Sequence, residues 1–105
     1  MDVVEKMEVA KIIKSQISTR ELWAIGATNF VSLSSSNYGG LSFKASLFGK
    51  KSCVVAIELN AKDLYNVVIF APRSLKALGS AQDVYAEDLE GIVVEMVEKR
   101  FALDK

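Results

Sequence analysis

Residues 41–70 read LSFKASLFGKKSCVVAIELNAKDLYNVVIF. Three apolar segments, Leu41–Phe48, Ser52–Leu59 and Leu64–Phe70, are parted by the breaks Gly49-Lys50-Lys51 and Asn60-Ala61-Lys62-Asp63. Runs of this length with short Gly, Lys and Asn/Asp breaks are how consecutive antiparallel strands with tight connections look in sequence. Alternation is cleanest in the first segment. Leu41, Phe43, Ala45 and Leu47 share one face and Ser42, Lys44 and Ser46 the other, so one face is built to be covered. In the third segment Tyr65, Val67 and Ile69 form one row, and Leu64, Asn66, Val68 and Phe70 the other. Both rows carry apolar residues, and a strand apolar on both sides is normally covered on both. Two covers are open: Leu75 and Leu78 fold back over the strip of Val54, Ala56, Val68 and Phe70, or an identical subunit closes it. The second gives a homodimer with Val68 and Phe70 at its contact, because large apolar patches are seldom left in water.

Upstream, Asn29–Ser35 is a further strand, with Val31 and Leu33 alternating with Ser32 and Ser34, and Gly39-Gly40 permits the reversal into Leu41. Before it stand two helices. Val3, Met7, Ala10, Ile13 and Ile17 recur at helical spacing behind a capping Asp2. Ser18 and Glu21 have capping-box spacing for a short helix from Arg20 to about Ala27, ended near Gly26. Trp23, the only tryptophan, is read as a core anchor near the domain edge, the competing reading being a binding hot spot. Downstream, Pro72 ends the ladder for want of an amide hydrogen. Arg73–Gln82 is a mixed connection, with a helical turn at Leu75, Ala77 and Leu78 ended by Gly79. A last helix begins at Asp83, with Tyr85, Leu89, Ile92, Val93, Met96, Val97 and Phe101 on its apolar side. Gly91 inside it suggests a close approach to the sheet.

The expected fold is therefore α+β in the order α-α-β-β-β-β-α. It is a four-stranded antiparallel meander with the first and last helices packed on one face, a single domain over residues 1–105. The core is expected to hold Met7, Ile13, Ile17, Trp23, Phe30, Phe43, Leu47, Val55, Ile57, Val67, Ile69, Leu89, Val93, Met96 and Val97.

The chain has 105 residues, half of them apolar, enough for one core without metals or disulfides. Its 13 acidic and 13 basic residues balance, so no global field holds a polyanion. With no histidine and one cysteine, the usual zinc sets and the Cys-His or Ser-His nucleophile pairs cannot be assembled within one chain. The reading is a non-catalytic chain with no metal and no cofactor. Cys53, inside an apolar strand, is read as a small buried hydrophobe. Nothing resembles a signal peptide or a membrane span, and the expected compartment is the cytoplasm. Charge is segregated: residues 83–98 carry six acidic side chains and no basic one, whereas Lys44, Lys50, Lys51, Lys62, Arg73 and Lys76 make the middle basic. These six are the expected partner-binding residues. The partner is a protein, or a nucleic acid held by the basic hairpin tips with aromatic stacking.

Four stretches carry a resemblance: Trp23-Ala24-Ile25-Gly26-Ala27-Thr28-Asn29-Phe30-Val31; Gly39-Gly40-Leu41-Ser42-Phe43-Lys44; Val54–Asp63 running on through Leu64-Tyr65-Asn66-Val67; and Asp83-Val84-Tyr85-Ala86-Glu87-Asp88-Leu89. In this order they resemble a family of small proteins from phages and mobile elements. The resemblance implies a binding role, with a host protein as partner. A defence complex such as a CRISPR effector is the kind of target such accessory proteins occlude. After Phe70 the chain departs from that pattern, with Ala71-Pro72-Arg73-Ser74-Leu75 in place of a Gly/Arg-rich continuation.

Overall fold

The computed structural model describes residues 2–47 and 51–103. The elements are α1 (Val3–Ser15), α2 (Thr19–Ala24), β1 (Thr28–Ser32), β2 (Gly40–Leu47), β3 (Lys51–Leu59), β4 (Tyr65–Phe70), β5 (Ala77–Val84) and α3 (Ala86–Leu103). The class is α+β and the sheet is an antiparallel meander, with five strands in the order β1-β2-β3-β4-β5. The additional strand lies where the sequence suggests a connection and a helical turn. Two register shifts against β4, one between Tyr65 and Val67 and one between Ile69 and Phe70, break the alternation that would have marked it. Its residues are also small and mostly exposed, so no buried row of side chains betrays it.

The inner face is set by the parity of β2. Leu41, Phe43 and Ala45 are buried together with Cys53, Val55 and Ile57 of β3 and Tyr65, Val67 and Ile69 of β4. α1 covers β1 and β2, α3 covers β3, β4 and β5, and both contribute to the same core through Ile13, Leu89, Val93 and Val97. Phe30 packs its ring against Phe43, centroids 5.4 Å apart, and Lys14 Nζ lies 4.1 Å from the Phe30 ring centre. Phe30 and Met96 are only partly buried, and the side chain of Leu47 lies outside the described residues.

Two expected core positions, Met7 and Trp23, and one expected on the apolar side of the last helix, Tyr85, move outward. Met7 is 47% exposed on the outer side of α1, Trp23 is 85% exposed on α2, and Tyr85 precedes α3 as an exposed residue. Leu75 and Leu78 are 65% and 42% exposed, so they do not fold back over the outer strip. A Cβ at Gly91 would meet nothing within 4 Å, so this glycine marks no close approach.

The helix starts follow from capping. Asp2 accepts from the Glu5 amide at 2.8 Å, and Ser18 Oγ from the Glu21 amide at 3.2 Å. The reciprocal half of the second box comes from elsewhere: the Ser18 amide donates to Glu90 Oε1 of α3 at 2.7 Å. Gly26, at φ 64°, ends α2 where any side chain would run into the Ser46 carbonyl. No helix among the described residues is long and apolar enough to cross a membrane.

Candidate functional site

Consecutive antiparallel strands reverse direction, so the β1–β2 and β3–β4 connections lie at one end of the sheet and the β2–β3 and β4–β5 connections at the other. Lys51 at the start of β3, placed by its backbone, and Arg73 and Lys76 in the β4–β5 connection come to the second end. Lys44 is exposed on β2 and shares a cross-strand row with Val54 and Phe70. The C-terminal half of α3 brings Lys99 and Arg100 there too, beside Leu78. Sequence reasoning missed these last two, because the acidic run before them hides their place at the far end of the helix. Lys50 lies outside the described residues.

Lys62 does not join this group. It sits at the opposite end, where its Nζ pairs with Asp83 Oδ2 at 3.2 Å. Asn60 organises that corner: its Nδ2 donates to Asp83 Oδ1 at 2.9 Å and to Asn66 Oδ1 at 3.1 Å, and its Oδ1 accepts from the Lys62 and Leu64 amides. The Asp83 amide donates to Asn66 Oδ1 at 3.1 Å, which fixes the Asp83 backbone at φ 55°. Lys62 is thereby committed to holding the chain's turn from β5 into α3. Glu58, Asp63, Asp83, Glu87 and Asp88 lie near this end with Lys62 and with Lys6, whose Nζ donates to the Ser34 carbonyl at 2.7 Å. At the other end Lys99 pairs with Glu95 at 3.2 Å, so the segregation of charge between the ends is partial.

Trp23 belongs to the basic end. α2 is fixed on three sides: Leu22 and Ile25 are buried, Ser18 is tied to Glu90, and the Ser46 amide donates to the Ile25 carbonyl at 3.0 Å. The indole nevertheless points to solvent. A tryptophan buries ~150–250 Å² when covered, on the order of 4 kcal/mol at about 25 cal/mol per Å². Here that surface is left in water on a firmly held element. Leu75, also exposed, sits in the β4–β5 connection at φ 56°, a backbone region leucine disfavours.

Val68 and Phe70 lie on the sheet face that carries no helix. They share it with Val54, Ala56 and the exposed Val31, aligned through the pairs Val31↔Ser42↔Ala56↔Val68 and Val54↔Phe70. Val54, Ala56, Val68 and Phe70 are half-buried there, and among the described residues no helix packs over them.

Three titrating groups have displaced values, each with a local cause. Burial pushes the Cys53 thiol up, with the nearby Arg100 charge pulling partly back. Burial also raises the Tyr65 phenol, opposed by a hydrogen bond with Gln16 and reinforced by the Asp63 charge. The Ser18 hydroxyl, then its amide, hold the Glu90 carboxyl below the ordinary range. Among the described residues no three Cys, Asp or Glu side chains are grouped to hold a metal. Comparison with protein-family models, with characterised proteins and with solved structures returns no match.

Proposed function

We propose that this chain is a non-catalytic protein-binding module whose basic end, with Trp23 as anchor, seats an acidic partner surface. The observation that carries this reading is the exposed indole on a rigidly tethered helix. Exposed tryptophans beside cations are the side chains that dominate binding energy once a partner excludes water. Lys44, Lys51, Arg73 and Lys76, together with Lys99 and Arg100, supply the complementary field. The resemblance to small phage and mobile-element proteins supports a host protein as the partner, with a defence complex such as a CRISPR effector the first candidate.

The single tryptophan makes the test direct. In the free chain its emission should be that of a solvated indole, fully open to a soluble quencher. It should shift to the blue and become protected when a purified candidate effector complex is added. Trp23→Ala should leave folding stability within about 0.5 kcal/mol, as for a surface substitution. It should weaken capture of that complex by about tenfold or more. Retained binding by Trp23→Ala would refute the proposal.

The same end carries cations and an exposed aromatic ring, the two kinds of group that single-stranded nucleic acid uses, and this is the second reading. It requires binding of an oligonucleotide that weakens steeply with salt. A flat salt response removes it.

A further inference from the structure

The two edges of the sheet are built differently. β1 has five residues, and its ladder with β2 is interrupted between Thr28 and Val31, where Asn29 stands at φ 57°. A short, bulged strand is a poor template for further pairing. β5 has eight residues, and from Ala77 to Gln82 it carries no charge and no proline while remaining largely exposed. Its two register shifts fall at Leu78 and after Ala81, and the regularly paired stretch between them, Gly79 to Ala81, has an open edge with neither charge nor proline. Beside it, between β5 and α3, lies a cleft of about 480 Å³. Ile69, Leu78 and Met96 give it an apolar lining, and Lys99 and Arg100 border it.

We infer that the β5 edge takes up an extended segment of a partner protein as a sixth strand. One large apolar side chain of the segment sits in the cleft, and Asp or Glu neighbours face Arg73 and Lys76 and compete for Lys99 with Glu95, its ion-pair partner at 3.2 Å. Strand addition draws affinity from backbone hydrogen bonds and selectivity from the alternate side chains that point into a pocket. Every second side chain of a strand laid along β5 faces the α3 side, where this cleft is. Arg73 and Lys76 in the adjoining connection, with the two cations of α3, favour an acidic segment over a basic one. A second copy of this chain is a poorer occupant. Its β5 turns Gly79 and Ala81 inward, too small to fill the cleft, and its Leu78 is already part of the cleft wall. The inference deepens the protein-binding reading but uses the β5 edge, whereas α2 and Trp23 are anchored against β2, so the two can fail separately.

A displayed library of random linear peptides selected on the full chain tests it. The enriched peptides should share a large apolar residue with acidic residues near it. N-methylation of alternate amides in a synthetic copy should abolish binding in one phase and spare it in the other. Gly79→Val fills the mouth of the cleft without threatening the strand. Its Cβ would meet only Met96 Cε, at 3.8 Å, and valine suits extended backbone. This variant should melt no lower than the parent and bind the peptides about tenfold or more weakly. Lys99→Glu should weaken them at low salt, and Trp23→Ala should not affect them. The inference is overturned by a selection that enriches nothing, by peptides indifferent to Gly79→Val or lost with Trp23→Ala, or by a self-association that Gly79→Val abolishes.

Discussion

Leu75 and Gly91 are each the wrong residue for stability in the place they occupy. Leucine at φ 56° costs about 1 kcal/mol against a residue at ease there, and the exposed side chain regains little of it. Leu75→Gly should therefore raise the unfolding free energy by about 1 kcal/mol in denaturant titration. Gly91 is exposed in α3 with open space where a Cβ would be, so Gly91→Ala should stabilise by a similar amount, about 1 kcal/mol. No gain in either variant would show that the backbone there is held by something other than local preference. The two differ in prospect: Leu75 stands at the basic end, and its removal should also weaken partner capture, while Gly91 should be neutral for binding. Trp23 teaches the related lesson about legibility. Leu22, Trp23 and Ile25 are adjacent and all apolar in sequence, and only the angle at which the short helix meets the core decides that two go in and one stays out.

At the level of elements, the central hairpins were readable because the inner row of each strand is unbroken. Phe43, Val55, Ile57, Val67 and Ile69 were expected in the core and are buried. β5 was not readable, since an exposed edge strand with two register shifts carries no alternation for burial to impose. The tie between α2 and α3 was equally hidden, because the capping-box spacing points to Glu21 as the partner of the Ser18 amide, and a residue far along the chain takes that place. Glu90 gives this tie a pH dependence. Its carboxyl titrates lower when folded, so the unfolded chain binds more protons as the pH falls through the carboxylate range. The stability it adds is present above the ordinary glutamate range and is lost as the pH falls through its folded value. Glu90→Gln should be less stable near neutrality, and its deficit against the parent should shrink in acid. A deficit independent of pH would mean that the Ser18 contact does not depend on charge.

For the molecule as a whole, the alkaline side carries the opposite sign. Cys53 and Tyr65 are both raised by burial, so their contribution is complete below the ordinary thiol and phenol ranges and is lost as the pH climbs through the raised values. Thermal melts should fall steeply in strong alkali, less so for Cys53→Ala with Tyr65→Phe, and a thiol reagent should react with Cys53 only on unfolding. The uncovered sheet face poses the question of self-association. Lys44 flanks its apolar rows on one side and Glu58 on the other, so a two-fold axis across the strands would set each lysine toward the partner copy's glutamate. Sedimentation over a concentration series is expected to reveal a dimer that Phe70→Asp dissociates. A monomeric mass throughout would leave Val68 and Phe70 without that role.

Each strand of the sheet pairs with its neighbour in the chain. Loop closure is therefore cheap at every step, and such a topology should fold quickly for a sheet of this size. The exception is the lid over the second half. Val55, Ile57, Val67 and Ile69 are covered by α3, which leaves the ribosome after every strand it covers. During synthesis their apolar row stays open until Leu89, Val93 and Val97 have emerged. The chain is most exposed to misassociation in that interval, after its strands have been made and before α3 has.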